Sequence, residues 1–541
     1  MSSRVTLVLS LLVALVPSAQ AASQSDTQDL QRQIQEMQSQ FDNLKKSSND
    51  KVDEMQRKLA AFQEQYAVEK KKDTAVRVSL VNGSPTISSD DNSFAISLTG
   101  LMQVDYGYYM QGHRATTLGP SYGPDLSSGT NIRRSAIGVK GKMFGNWSYL
   151  LLYNFGNSAI ETPGSILYSY VQYDGFGPLT IRAGAIAPPS SIEDGTSPAD
   201  LMFIERNSSS NLQRNIAGAE GRAGVTVAYA GDRLFAALSY SGGKVQDSAV
   251  FDEQMAVVGR LSYLAYADQE RDQHLIVGGN FLHVFKLPDM VAGGQDTQQT
   301  TPGGTALHCF TLGDFPELTV DSTATKLVNT GSLSANHVTS AGMETAGNWK
   351  NFYVQSAYYL YQVDRAPIAY NVYTAPSTYA AQTVRPGNND FHGWYVQASW
   401  VLTGESKPFI KATSAFGNPK PFHPLSLKDG GWGAWELAAR YSTLNLNSHE
   451  NSADAVVTGW SGSQKTYTFY NTVRGGNQRI ATVGLNWYPV STIRLLFNYL
   501  YVESDRTQVP GPVVSASTPD LPAVAVGQSY SAAAIRLQVA F

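Results

Sequence analysis

The stretch Ala533-Ala534-Ile535-Arg536-Leu537-Gln538-Val539-Ala540-Phe541 decides how the rest of the chain is read. In an extended chain successive side chains point to opposite sides. Ala533, Ile535, Leu537, Val539 and Phe541 therefore share one face, and Ala534, Arg536, Gln538 and Ala540 the other. An apolar face backed by one that carries arginine and glutamine suits a sheet with oil on one side and water on the other. The same period of two recurs upstream. Trp147, Tyr149, Leu151, Tyr153 and Phe155 alternate with Ser148, Leu150, Leu152 and Asn154. Val483, Leu485 and Trp487 alternate with Gly484, Asn486 and Tyr488, and Ile493, Leu495, Phe497, Tyr499 and Tyr501 share one face opposite Arg494 and Asn498. Residues 166–173, 179–185, 222–230, 393–402 and 433–441 read alike. Many of these runs approach the 9–11 residues, roughly, that a tilted strand needs to cross a bilayer.

Composition agrees. The 541 residues are 42% hydrophobic and only 16% charged, with 47 Gly and 29 Tyr. A single cysteine excludes a disulfide scaffold and a cysteine-based zinc site. A net charge of -4 argues against a nucleic-acid partner. Beyond residue 20 no window is apolar enough for a membrane helix. The expected fold class is all-β: a transmembrane antiparallel β-barrel of about 16 strands, wide enough for an aqueous lumen, preceded by an α-helical coiled coil.

Three regions follow along the chain. Residues 1–21 read as a signal peptide: Arg4, an apolar core from Val5 to Val16, and Ala19-Gln20-Ala21 as the cleavage pattern. Residues 22–73 hold 19 charged positions against 64 in 74–541. Within 22–73, Leu30, Ile34, Met37, Phe41, Leu44, Val52, Met55, Leu59, Phe62 and Tyr66 form an apolar seam at alternating spacings of four and three, with a stutter through Ser48. One chain cannot bury such a seam, so this segment predicts self-association. Residues 74–541 are the expected barrel domain. Phe144 to Asn146, Asp174 to Pro178 and Pro489 to Ser491 read as short turns at the end where the chain finishes, and 504–529 as a long loop at the other end. Strands one to six are expected near 94–109, 133–143, 147–155, 166–174, 179–185 and 222–230.

The long connection 186–221 after strand five is the candidate for an inward-folding constriction. It opens on Pro188-Pro189 and carries Glu193, Asp194, Asp200, Phe203, Glu205 and Arg206. Lumen-facing cations would favour anions, because the planar guanidinium donates two parallel hydrogen bonds to phosphate or carboxylate. Parity turns Arg134, Lys140 and Lys142 inward on strand two, Arg182 on strand five, and Arg494 and Arg536 near the end. Arg260 follows if Leu261 and Tyr263 face lipid, and Arg133 sits at a strand mouth where parity is weak. Residues 74–541 hold 30 Lys+Arg and 34 Asp+Glu, so any anion preference must come from placement.

A chain ending in a strand with a terminal Phe resembles bacterial outer-membrane barrels. More specifically, four stretches resemble the phosphate-selective porin O/P family. They are Arg133-Arg134-Ser135-Ala136-Ile137-Gly138-Val139-Lys140-Gly141-Lys142-Met143-Phe144-Gly145-Asn146-Trp147; Pro188-Pro189-Ser190 with Phe203-Ile204-Glu205-Arg206; Gly484-Leu485-Asn486-Trp487-Tyr488-Pro489; and the last strand. The likeness covers most of 94–541 and is weakest over 287–390. It implies a trimeric outer-membrane porin of 16 strands, with Arg133, Arg134 and Arg206 at the arginine-lined eyelet. One departure stands out. Between Arg182 and Arg206 the chain has no lysine but four carboxylates, Glu193, Asp194, Asp200 and Glu205. A general anion or small-solute porin is therefore the alternative, with an adhesin or structural barrel and an outer-membrane hydrolase behind it. The eight histidines, His113, His274, His283, His308, His337, His392, His423 and His449, form no recognisable triad with Ser or Asp, and His308-Cys309 falls short of a metal site. The expectation is a porin rather than an enzyme. It has no cofactor or metal and no nucleic acid, and its partners are its own copies, outer-membrane lipid and small permeant anions.

Overall fold

The computed structural model describes residues 24–73, 76–81, 83–111, 125–156, 158, 163–246, 252–289, 308–508, 513–515, 524–525 and 527–541. The signal-peptide reading of 1–21 lies outside them, as does much of 504–529. The chain separates into two units on either side of Ala75 and Val76.

The first unit holds α1, a single helix over Gln24–Asp73. Leu30, Met37, Phe41, Leu44, Met55, Leu59 and Phe62 are all exposed on it. The seam is therefore an unburied stripe on one chain.

The second unit is a closed antiparallel barrel. Its 16 strands are β1 Ala95–Met110, β2 Gly129–Met143, β3 Trp147–Asn154, β4 Ser165–Phe176, β5 Leu179–Ile186, β6 Arg222–Ala230, β7 Leu234–Lys244, β8 Met255–Asp268, β9 Gln273–Lys286, β10 Leu333–Trp349, β11 Phe352–Arg365, β12 Asn389–Val401, β13 Ala434–Ser448, β14 Val473–Val490, β15 Ile493–Asp505 and β16 Gln528–Ala540. Each pairs with its neighbour, and β16 returns to β1 in the register Val104↔Leu537 and Asp105↔Arg536. Closure leaves the sheet no open edge, which a bilayer demands. A hairpin of Val76–Val81 with Ser84–Ser89 pairs onto the start of β1 through Thr86↔Ser97.

Parity sets the two faces. Ile535 and Leu537 are exposed on the outer wall, while Ala534, Arg536 and Gln538 are buried inside. The outer wall carries aromatic pairs at one end: Tyr266 on Trp349, Phe352 on Trp400 and Trp435 on Trp487, with centroids 6.3, 5.5 and 5.4 Å apart. Such rings settle where hydrocarbon gives way to headgroups. Connections at that end are short: 144–146, 177–178, 231–233, 269–272, 350–351 and 491–492. The first is tight because Phe144 and Gly145 both take positive φ, 53° and 74°, which lets Met143 pair with Trp147. Connection 402–433 between β12 and β13 is the long exception, and nothing in the sequence pattern announced it. The other end carries long connections, including 187–221 and 287–332.

The stretch 287–390, which the alternation left unassigned, contains β10 and β11. The outward positions of β10 include His337, Thr339 and Thr345 as well as Met343 and Trp349, so its apolar face is too broken to announce a strand.

Candidate functional site

Among the described residues, three connections fold into the barrel. In 187–221, a short helix α2 (Ile192–Gly195) is capped by Ser191, whose side chain accepts from the Asp194 amide, and α3 (Ser208–Ala217) by Asn207, whose side chain accepts from the Ser210 amide. Nearly every residue from 201 to 219 is buried. Irregular backbone placed there must find partners for its carbonyls. The wall supplies them. Gln538 Nε2 donates to the Ala199 carbonyl at 2.8 Å, Arg494 Nη1 to Leu201 at 2.6 Å, Asn486 Nδ2 to Met202 at 3.0 Å, Arg536 Nη1 to Ile204 at 2.5 Å and Arg440 Nη1 to Glu205 at 3.0 Å. The second connection seats Glu317 against Arg440 at 2.5 Å and against the Ser208 amide at 2.9 Å. The third, 402–433, comes from the opposite end: Lys407 pairs with Glu436 at 3.0 Å, Arg260 donates to the Thr413 and Ser414 carbonyls, and Asn418 Nδ2 reaches the Ala199 carbonyl at 2.8 Å.

The cations named from the sequence divide by what they touch. Arg133 and Arg134 both turn inward, because the β1–β2 ladder slips between Gln103↔Arg134 and Val104↔Ile132, leaving Arg133 as the extra residue of a bulge. Arg133 grips Glu205 with Nε at 2.7 Å, and Arg134 donates to Gln103 at 2.9 Å. Arg206 is buried, its Nε and Nη2 each 3.0 Å from the carbonyls of Glu193 and Thr196. Arg260 pairs with Glu344 at 2.6 Å. Arg536 holds both oxygens of Asp105 at 2.6 Å and reaches Glu205 at 3.1 Å. Arg494 packs over Tyr488, 3.8 Å from Glu436. Arg133, Arg260, Arg494 and Arg536 bind the wall to the inward segments, Arg134 joins two wall strands, and Arg206 ties its own segment together. Lys140 and Lys142 are exposed, and Arg182 is half-buried over the Tyr170 ring with Nε on Gln172 at 2.8 Å.

The carboxylates between Arg182 and Arg206 are mostly compensated. Glu193 accepts from Gln355 and Gln397 and lies 4.0 Å from Arg206. Asp194 pairs with Arg214 at 3.0 Å. Burial opposes ionisation of Glu205, but Arg133 and Arg536 outweigh it and hold its carboxyl below the usual range. Asp200 has the contrary balance: burial raises its pKa against Lys407 and Arg494.

Two lumen hollows flank this core. The one at the long-connection end, about 830 Å³, is lined by Arg133, Arg214, Lys244 and Lys326 with Glu220 as the acid. The other, about 540 Å³, lies at the short-connection end beside Lys140, Lys142 and Tyr170. A larger hollow of about 1210 Å³ opens near Leu261 and Met343, whose side chains are exposed on the outer wall, and is no part of the lumen route. Arg214, Lys244, Lys326 and Arg440 were missed from sequence. Arg440 was reachable, since Leu437 and Tyr441 face outward and the same parity turns it in.

Asp314, in the second inward segment, is bonded to Asn211 at 2.6 Å, and burial raises its carboxyl to about 8. Its folded pKa lies above its unfolded one, so its stabilising contribution is complete below about pH 4 and lost as pH rises through about 8. Amide exchange of 312–328, divided by the intrinsic rate at each pH, is expected to quicken between about pH 4 and 8. Asp314→Asn should flatten that rise, and an unchanged rise would assign it to another group.

Residues 98–541 match the family described as phosphate-selective porin O and P. Porin O of Pseudomonas aeruginosa is 22% identical over 460 residues, covering 83% of this chain and 92% of that one. Among solved structures, the anion-selective porin from Comamonas acidovorans covers 83% of this chain and 100% of its own at 10% identity and a TM-score of 0.42. The trimer form of OmpT from Vibrio cholerae gives 9% identity, the same coverage and the same TM-score. A closed 16-strand wall with polar groups inside and an apolar outer face, matched over nearly its whole length, places the chain in the phosphate-selective porin O and P family, as an outer-membrane porin.

Proposed function

We propose that this porin is a homotrimer through which small anions, phosphate among them, diffuse passively. Residues 1–21 act as signal peptide, 22–73 as the oligomerising coiled coil in the periplasm, and 74–541 as the pore domain. The observation that supports anion passage best is the make-up of the hollow at the long-connection end: Lys244 and Lys326 stand in its lining, inside a low-dielectric wall, beside Arg133 and Arg214, whose charges Glu205, Asp194 and Glu220 answer. From there the route runs along β2–β5. It narrows where Ala199 of the inward segment, Leu152 and Tyr168 all pack against Leu101, Ala136 and Leu167, and leaves past Arg182, Lys140 and Lys142. Segment 187–221 is the constriction. Cations above and below a short apolar neck attract an anion without holding it, which conduction requires. Arg133, Arg134, Arg206, Arg260, Arg494 and Arg536 serve chiefly to set the bore, and the exposed lysines with Arg182 supply the field. The function in this reading is transport; His274, His283 and His449 are bonded to Asn348, Thr339 and the Asn388 carbonyl.

Purified protein in a planar bilayer is expected to conduct in steps grouped by three, with a reversal potential in unequal KCl on the chloride side and block by phosphate. Cation-selective current would reject the anion reading, and folded protein that passes no current would reject the pore. Deleting 22–73 should weaken the trimer toward heat and detergent. Equal trimer stability with and without the segment would deny the helix that role.

A further inference from the structure

We propose that the hairpin 422–432 is a foot planted in the lipid surface at the short-connection end, with phospholipid as its partner. The proposal rests on the barrel standing in a bilayer. The hairpin is the second half of the long connection 402–433, whose first half lies inside the lumen on Arg260 and Glu436. It presents Phe422, Leu427 and Trp432 at 65%, 101% and 75% exposure, with Leu425 beside them. Four large apolar side chains gathered on a water-facing loop are the composition of a contact surface.

The hairpin is not a loose tail. The Leu425 amide donates to the Pro489 carbonyl at 2.7 Å, the Gly433 amide to His423 at 2.8 Å, and Ser426 bridges to Gly431. Added to Gly431, a Cβ would stand 1.9 Å from the Pro424 carbonyl, so the two arms close tightly. The backbone therefore holds these side chains out.

What lies beside them identifies the partner. Trp487 Nε1 donates to the Trp432 carbonyl at 2.8 Å, and the Trp487 ring stacks on Trp435 on the outer wall. These are members of the aromatic row that also contains Phe352 on Trp400 and Tyr266 on Trp349. The hairpin is thus continuous with the wall at the depth where aromatic rings meet headgroups. Lys420 precedes the hairpin and Lys428 sits beside Leu427 at its tip, next to Asp429, which accepts from Ser426; both lysines are exposed, where anionic headgroups would meet them. Apolar residues dipping in and lysines staying at the surface is the arrangement of an interfacial anchor.

The test uses the full chain with Cys309→Ser and Leu427→Cys carrying an environment-sensitive fluorophore, in vesicles of phosphatidylethanolamine and phosphatidylglycerol. A second protein with Ser463→Cys, in a turn at the other end, serves as reference. The label at 427 should emit to the blue of the reference, lose its quenching by iodide and gain quenching by spin-labelled lipid. Emission and iodide access equal to the reference would overturn the foot. A blue shift that grows with protein concentration and ignores spin-labelled lipid would also overturn it, in favour of a second copy of the chain. Both labelled proteins are checked for conductance, so a barrel that conducts with its label in water sinks this proposal and leaves the channel standing.

Discussion

Arg536→Met is expected to cost the barrel about 3–5 kcal/mol, the usual price of leaving a buried charge without its partner. Arg536 is fully enclosed, with two donors on Asp105, one on the Ile204 carbonyl and a contact to Glu205. Methionine fills much of the volume but strands Asp105, itself buried, and frees the inward segment at Ile204. Urea unfolding in lipid vesicles and the heat-dependent shift of gel mobility should both move to milder conditions. Lysine at 536 should not restore the parent, because one ammonium cannot engage both carboxylate oxygens in parallel. Pairing Arg536→Met with Asp105→Leu should recover most of the loss, since it removes the stranded charge while Glu205 keeps Arg133. A single variant as stable as the parent would show that this cluster does not hold the wall to the segment.

The second large effect concerns selectivity. Lys244→Glu with Lys326→Glu turns a hollow with four cations and one acid into one with two cations and three acids. Each unit charge a few ångströms from a passing ion is worth about 1–4 kcal/mol between bulk-water and surface dielectric, and about 1.4 kcal/mol is a tenfold ratio. The reversal potential in a KCl gradient should change sign. Lys350→Glu, in an exposed short turn, should leave it unchanged. An anion preference that survives the double reversal would place selectivity elsewhere, with Lys140, Lys142 and Arg182 next in line. Arg206→Ala is expected to act differently. Its two carbonyl contacts sit inside the segment, so its loss should broaden conductance rather than simply subtract charge.

The wall was legible because lipid imposes a period of two that needs no partner to be seen. β6 runs over the residues the alternation marked, and β3, β5 and β15 differ from them by a residue or a few at an end. The inward positions of Arg134, Lys140, Lys142, Arg182, Arg494 and Arg536 came from the same parity. What those residues touch was not legible. Segments 187–221, 309–330 and 405–418 have no period, and their carboxylates looked like an obstacle to anions until Glu193, Asp194 and Glu205 were seen bonded to arginine or amide partners. The bulge that turns Arg133 and Arg134 inward together is equally silent in one dimension. Arg440 is a different case: its strand was marked and its parity available.

The grip of Arg536 on Ile204 joins residues 332 positions apart, and the strand that supplies it is also the one that closes the circle onto β1. Until that seam zips, the early-made inner segment lacks the part of its seat that Arg536 and Gln538 supply. Closing the cylinder and fixing its bore are therefore coupled, and a half-built wall is a less selective hole than the finished one.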